Sequence, residues 1–138
     1  MLLSRHSLMA RTHRKGQVLE RSAYILLSRL QLESPMSLRQ LAEALRLDIS
    51  TINRQVRSMA RQNLVEGVID PEGGAARKFV ATEHGLELLR EDRRLSTEGV
   101  GKVVGSWKSA ELSQFRQLLD KFNRSVENLE DNEWPRPD

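Results

Sequence analysis

Three arginines recur at helical spacing in one short segment of the chain. Arg54, Arg57 and Arg61 are three and four residues apart, so a helix that turns by about 100° per residue carries their guanidinium groups in one stripe. A guanidinium group stays protonated and donates paired N–H groups to guanine O6 and N7 or to phosphate oxygens. The pattern therefore predicts that this stripe binds nucleic acid. Hydroxyl and amide groups at the N-terminal end of the same helix add to it: Ser50, Thr51 and Asn53.

The other side of this helix is apolar. Ile52, Val56 and Met59 fall in one arc opposite the arginines, which is the pattern of a helix that buries one face and exposes the other. A helix with one apolar face and one face of guanidinium groups is suited to lie in the major groove of DNA. We expect the arginines to read guanine or contact the backbone, and Arg61, which lies further along, to contact phosphate. The residues expected to face the groove are Ser50, Thr51, Asn53, Arg54 and Arg57.

A shorter amphipathic helix precedes this one. Ser37 and Asp48 stand where the two helices should begin, and side-chain oxygens at such positions accept hydrogen bonds from the free amides of the first turn. The two helices and the tight turn between them predict a helix-turn-helix over residues 37–65. Ser37 is also expected to offer its hydroxyl and the neighbouring amides to a phosphate. The apolar residues of the shorter helix recur at helical spacing: Leu38, Leu41, Ala42 and Leu45.

The chain resembles the MarR family of bacterial transcriptional regulators in four segments: LAEAL, LDISTINRQVRSMARQNLV, DPEGG and KFVATEHG. The resemblance runs from about Tyr24 to Leu89 and continues more loosely to both ends. It implies a winged-helix homodimer that binds a near-palindromic operator in double-stranded DNA and often responds to a small molecule. Repression is the commoner mode in the family, with release by an effector bound between the dimer helices and the DNA module.

A β-hairpin, the wing, is predicted after the second helix. Leu64 to Ile69 alternates well enough for a strand, Asp70 to Gly74 is rich in turn residues, and Lys78 to Ala81 returns as the second strand. In the resembled family the wing tip typically reads Asp-Pro-x-Asp-Arg-Arg, with the arginines close to a minor groove. Here DP is followed by EGGA, so both arginines of that pattern are absent.

Arg77 and Lys78 are the cations nearest to this tip. Neighbouring residues in a strand point to opposite faces, so one of the two is expected to face DNA. We assign that role to Arg77, which would reach a narrow minor groove or its flanking phosphates. The alternative is that Arg77 pairs with Asp70 or Glu72 across the hairpin, and an exposed ion pair of this kind adds little stability.

Helices are also predicted on both sides of this DNA module. Residues 1–16 are expected to form a short helix, which joins the dimer interface in the resembled family; a frayed start is the alternative. Val18 to Leu32 predicts a core helix, and Thr82 is placed to cap the helix that follows the hairpin. Three glycines at 99, 101 and 105 predict either a kink or break in that helix or close packing against a partner chain.

The last helix should be capped by Ser109 and carries a broad apolar stripe. So small a domain cannot cover a stripe of this length, which favours a second copy of the chain as its cover. Packing within one chain is the alternative. Residues 131–138 contain two prolines and predict a loose tail. The apolar stripe consists of Leu112, Phe115, Leu118, Leu119, Phe122, Val126 and Leu129.

These elements predict a fold that is mainly α with a small β-hairpin: one winged helix-turn-helix domain over residues 1–138. Its DNA-binding core spans about residues 20–89, with the wing at 64–81. Residues 1–16 and about 90–130 are the expected N- and C-terminal dimerisation helices.

The net charge of +3 hides an asymmetry. Residues 1–61 hold 11 Lys and Arg against 4 Asp and Glu, which is +7, whereas residues 62–138 hold 11 against 15, which is −4. The first part therefore supplies a positive field that attracts phosphates. Aromatic residues make up only 4%, which argues against an RNA binder that stacks single-stranded bases. A winged helix that serves as a protein-interaction module is the main alternative, but it would not need three arginines in one stripe.

Other chemistry has little support in the sequence. The absence of cysteine excludes disulfides and thiolate metal sites, and the scattered histidines His6, His13 and His84 have no carboxylate cluster that would complete a metal site. No serine stands in a nucleophile elbow, so we expect neither an enzyme nor a cofactor. The chain has no long apolar run, and its start is too short and polar for a signal peptide, which predicts a cytoplasmic protein without membrane contact.

Overall fold

A computed structural model describes residues 19–70, 73–74 and 76–136 of the chain. The predicted helix over residues 1–16 lies outside these ranges, as does Val18. The described elements form five helices and three short strands, and the prediction of a mainly α winged-helix fold is confirmed. In chain order they are α1 Arg21–Leu32, β1 Met36–Ser37, α2 Leu38–Leu45, α3 Ile49–Arg61, β2 Val65–Val68, β3 Lys78–Ala81, α4 Glu83–Val103 and α5 Ser109–Glu130.

The sheet is antiparallel and has the strand order β1-β3-β2. In the hairpin, Val65 lies opposite Ala81 and Val68 lies opposite Lys78. The third strand, β1, was not predicted; it places Met36 opposite Phe79. A strand of two residues has no alternation to detect, so only the folded chain reveals it. By pairing with β3, β1 joins the start of the helix-turn-helix to the wing.

One core unites α1, the helix-turn-helix, the sheet and the first half of α4. Leu26 and Leu27 of α1 are fully buried, as are Leu41 of α2 and Leu89 of α4. The predicted apolar arc of α3 is confirmed, because its members are between 0% and 3% exposed: Ile52, Val56 and Met59. Burial of this arc fixes the rotation of α3 about its own axis and therefore fixes which residues it presents to solvent.

The helix-turn-helix begins with a reciprocal cap at Ser37. The Ser37 hydroxyl accepts from the Gln40 amide at 3.2 Å, and the Gln40 side-chain oxygen accepts from the Ser37 amide at 2.8 Å, which is a capping box. Asp48 is the N-cap residue of α3, as predicted, but its carboxylate makes no capping hydrogen bond. The expected Asp48 side-chain bond was therefore wrong, although the start of the helix was placed correctly.

The N-cap residue was predicted correctly for α4 but not for α5. Thr82 caps α4 as predicted, accepting from the Gly85 amide at 3.0 Å and donating its hydroxyl to the Asn63 carbonyl at 2.6 Å. For α5 the prediction of Ser109 was wrong by one residue, because Lys108 is the N-cap. The Lys108 amide donates to the carboxylate of Glu111 at 2.7 Å, so the acidic side chain at the third helical position bonds back to the N-cap amide, which is the reciprocal half of a capping box.

The helix α4 continues through two of the three glycines noted in the sequence. Gly99 and Gly101 both lie within it, and it ends at Val103, just before Gly105. A Cβ at Gly99 or Gly101 would meet no atom within 4 Å, so packing within the chain does not require glycine at either position. The predicted break therefore falls only at the last glycine, and close packing against a partner chain stays a prediction.

Gly85 is different, and Gly85→Ala should destabilise the protein. A Cβ there would lie 2.3 Å from the Leu64 carbonyl oxygen and 3.1 Å from Leu27 Cδ2. The backbone of α4 would have to move away from the core, at a cost of about 1–3 kcal/mol in the free energy of unfolding. Urea unfolding measures this cost.

Gly99→Ala is the matched control for that substitution. It places the same methyl group in open space in the same helix and should raise stability by about 0.5–1 kcal/mol. Equal stability of the two variants would contradict the close packing of Gly85. A Gly99→Ala variant that dissociates would instead support packing of this glycine against a partner chain.

The helix α5 lies uncovered in the single chain. None of its residues is buried, and the seven members of its predicted apolar stripe are between 37% and 87% exposed. The other side of α5 carries an ion pair in which Arg124 Nε donates to Asp120 at 2.9 Å. This hydrogen bond holds the pKa of Asp120 below its ordinary value. The alternative that the stripe packs within its own chain does not hold for the residues that the structure describes.

The segment after α5 contacts the rest of the protein. Asn132 Nδ2 donates to the Ala44 carbonyl at 3.3 Å, and the Arg29 guanidinium lies 5.2 Å from the centre of the Trp134 ring. Arg136 pairs with Glu127 at 2.8 Å. For residues 132–136 this differs from the predicted loose tail, because three side chains of the segment hold specific partners.

No helix in the described part of the chain is both long and apolar enough to cross a membrane.

Candidate nucleic-acid interface

The exposed face of α3 is the centre of the candidate site. Arg54, Arg57 and Arg61 are all exposed, on the side opposite the buried arc. Within the described residues none of these three arginines forms a salt bridge, so binding a phosphate or a guanine would not first require an internal ion pair to break. Ser50 and Asn53 are exposed on the same face, whereas Thr51 is half-buried. The structure therefore brings six of the eight predicted residues onto one helix.

Arg54 differs from the other two arginines in its surroundings. It lines a cavity of about 160 Å³ between the start of α1 and α3, together with Ser22, Ser58 and Gln62. Arg57 and Arg61 do not line this cavity. Among the three cations, Arg54 therefore stands on the side of α3 that faces α1, while Arg57 occupies the middle of the stripe.

A left-handed residue ends the first of the two motif helices. Arg46, at the end of α2, has a φ of 51°, and its amide and that of Leu47 bond back to carbonyls of α2. This conformation is uncommon for a residue with a side chain and usually marks a tight helix end. The tight turn was predicted from the sequence, but its position at Arg46 was not, because glycine or asparagine is the usual signal. Arg39 and Arg46 in the first motif helix and its end are also exposed, and the stripe pattern did not identify these two cations.

Ser37 has a structural role at the edge of this surface. It is half-buried, caps α2 through its hydroxyl oxygen and lies opposite Lys78 in the sheet. Since an acceptor hydroxyl still has a proton to donate, the capping bond is compatible with the predicted phosphate contact. That contact stays a prediction.

The wing places its two cations on opposite faces. Lys78 pairs with Asp70 at 2.8 Å, and both side chains are largely buried, 14% and 10% exposed. Arg77 is exposed, and its guanidinium lies 6.0 Å from the centre of the Phe79 ring. The alternation that was predicted for this pair is therefore observed. Asp70 thus pairs with Lys78, no pair between Asp70 and Arg77 is present among the described residues, and Glu72 lies outside them.

The turn that joins the strands depends on two glycines. Gly73 has a φ of 80°, a conformation that favours glycine, and its amide donates to the Asp70 carbonyl at 3.0 Å. A Cβ at Gly74 would lie 2.4 Å from an Asp70 carboxylate oxygen. Both glycines thus allow the chain to fold closely around Asp70, which in turn holds Lys78 inward.

Comparison with known proteins decides the family. The sequence model of the MarR family matches residues 19–72, which contain α1, the whole helix-turn-helix and the first wing strand. A curated protein of Bacillus subtilis (strain 168), named uncharacterized HTH-type transcriptional regulator YxaD, is 34% identical over 107 residues, covering 78% of this chain and 75% of that protein. The chain belongs to the MarR family. It is thus a DNA-binding transcriptional regulator.

Solved MarR-family structures share its fold. The structure of a MarR family protein from Bacillus stearothermophilus superposes with a TM-score of 0.74 at 20% identity, covering 91% of this chain and 84% of that one. A mutant of MepR from S. aureus, bound to an oligodeoxyribonucleotide, superposes with a TM-score of 0.57 at 18% identity, covering 78% and 80%. At these identities the likeness concerns the fold, and the residues that would contact DNA must be argued from this chain itself.

The candidate site of this MarR-family protein therefore has two parts. The first is the cationic face of α3, which the buried arc holds in one orientation. The second is Arg77 on the wing, separated from the stripe and packed on the hairpin. Among the described residues, no group of His, Cys, Asp and Glu side chains is arranged to hold a metal ion.

Proposed function

We propose that the protein is a homodimeric repressor that binds a near-palindromic operator by inserting α3 into the major groove. The observation that carries this proposal is the division of α3: a fully buried apolar arc on one side and, on the other, three exposed arginines without ion-pair partners in the described part of the chain. A helix so fixed presents the Cα atoms of these arginines on one constant face, from which the guanidinium groups can reach base edges. Ser50, Thr51, Asn53, Arg54 and Arg57 would face base edges, and Arg61 and Ser37 would contact phosphates.

A second copy of the chain is the proposed cover of the α5 stripe. Seven large apolar side chains on one face of a helix, all at least 37% exposed, form a larger patch than soluble monomers usually leave open. A dimer with two-fold symmetry covers the same stripe on both chains at once. It also presents two α3 helices, whose separation sets the spacing of two operator half-sites.

The remaining parts of the proposal follow from the family resemblance and the expected partner. Repression, with release by a small-molecule effector, is the regulatory mode that the resemblance favours. A protein that acts on operator DNA would work in the cytoplasm.

Selection from a library of random duplexes tests the DNA-binding proposal. We expect the retained pool to contain two related half-sites with centres about one helical turn apart, roughly 10 bp, and the affinity to fall steeply with salt. A pool without a shared sequence, or one asymmetric site bound by a single chain, would contradict the proposal. Failure to bind any duplex at low salt would instead favour the alternative, a winged helix that serves only as a protein-interaction module.

A further inference from the structure

In the wing, the Arg77 side chain lies directly beside the backbone of Gly67. Gly67 in β2 lies opposite Phe79 in β3, and the guanidinium of Arg77 occupies the space that a side chain at position 67 would fill. A Cβ on Gly67 would lie 2.1 Å from Arg77 Nε and 2.7 Å from both Cζ and Nη2. All three of these nearest atoms belong to the same guanidinium group, so the missing Cβ leaves room for that group.

Phe79 bounds the same place from the neighbouring strand. Arg77 and Phe79 are two residues apart and so point to one face of the hairpin, and the guanidinium carbon lies 6.0 Å from the ring centre. A planar cation near an aromatic face is favoured electrostatically. Between Gly67 and Phe79, the Arg77 side chain is therefore directed across the hairpin, while Lys78 is held on the opposite face by Asp70.

We propose that Gly67 is a positioning residue for DNA binding: because it lacks a Cβ, it seats the Arg77 guanidinium on the wing, ready to contact a DNA phosphate. This inference rests on the proposed function and adds the determinant of the wing contact. A free arginine on a wing would lose its rotamer freedom when it binds, whereas a seated one has already lost much of it. By this argument the seat raises affinity by about two- to tenfold, the range set by ordering one long side chain.

The Gly67→Ala variant separates seating from stability. The atoms that the new methyl group would meet are at the end of a flexible side chain, so Arg77 can swing away while the hairpin keeps its fold. We expect a thermal midpoint at or slightly above that of the wild type, because glycine in a strand is less favourable than alanine, and a duplex affinity about two- to tenfold weaker than that of the wild type. Arg77→Ala should weaken the affinity for every duplex by about the same factor, whatever its sequence. It should also lower the slope of log affinity against log salt by about one unit.

A double-mutant cycle provides the decisive comparison. If Gly67 acts only through Arg77, Gly67→Ala should have no effect on affinity in an Arg77→Ala background. Independent, multiplying effects of the two substitutions would overturn the inference, as would wild-type affinity in Gly67→Ala. If Gly67→Ala lowers the thermal midpoint, Phe79→Leu gives a second test, because it removes the ring but keeps an apolar side chain and should weaken binding in the same direction.

A measurement without DNA distinguishes failure of this inference from failure of the proposed function. In a ¹H–¹⁵N spectrum of the free protein, the Arg77 Nε–H signal should be displaced by the Phe79 ring and should move to the position of a solvated arginine in Gly67→Ala. Absence of that displacement in the wild type would overturn the seat itself. A wild type that shows the displaced signal but binds no duplex would overturn the proposed function, and with it the role of the seat in DNA binding.

Discussion

Replacing Leu119 and Phe122 together with aspartate should convert the protein into monomers or unfolded chains and weaken operator binding by at least about 100-fold. Both side chains lie in the α5 stripe and are 47% and 64% exposed in the single chain. In the proposed dimer they would be covered, and an unpaired carboxylate in that position would have to lose its hydration. In a dimer, binding of one half-site raises the effective concentration of the second α3 at the other half-site, and a monomer loses this gain in affinity.

The matched control for this variant is Ser113→Asp with Gln117→Asp. It adds the same charge to the same helix, on the face away from the stripe, where both positions are exposed. It should remain dimeric and lose only the small affinity that two added negative charges cost near DNA. Light scattering gives the mass and a duplex titration gives the affinity. A wild type that is monomeric at micromolar concentration, or an aspartate variant in the stripe that stays dimeric, would rule out this interface.

Features with a regular spacing were predictable from the sequence because they repeat. The apolar arc of α3, whose middle member is Val56, recurs at every turn of the helix, and the strand that begins at Lys78 follows a run of turn residues. Both were confirmed. Thr82 followed by Glu83 was enough to place the start of α4, because the cap bond forms between residues close in sequence. Local rules sufficed wherever the interacting groups lie within a few residues of each other.

Features that depend on distant parts of the chain were not predictable in this way. The bond from Asn132 to the Ala44 carbonyl joins residues 88 positions apart, and nothing in the C-terminal segment itself reveals that partner. The pairing of Asp70 with Lys78, instead of Arg77, depends on how Gly73 and Gly74 fold around the aspartate. Alternation predicted that the two cations would point to opposite faces, but the turn decides which face holds the carboxylate.

Arg57→Ala should reduce the affinity for the specific operator by about 1–3 kcal/mol, which is roughly 5- to 150-fold, and should relax the preference for one base pair in each half-site. Arg57 lies in the middle of the stripe, opposite the buried Val56 and Met59, and has no salt-bridge partner among the described residues. A guanidinium that bonds both O6 and N7 of a guanine discriminates against the other bases. Its loss should therefore change the selected sequence as well as the affinity.

Arg61→Ala distinguishes base reading from simple loss of charge. It removes the same group from the same stripe, one turn further along α3, where a phosphate contact is expected. Its effect should be nearly uniform across sequences and should lower the salt slope by about one unit, because one fewer phosphate is neutralised. Duplex selection with each variant, followed by titrations at several salt concentrations, gives both readouts. If Arg57→Ala selected the same sequences as the wild type and differed from it only in salt slope, Arg57 would be a phosphate contact, and the base-reading role would pass to the other polar groups on this face of α3.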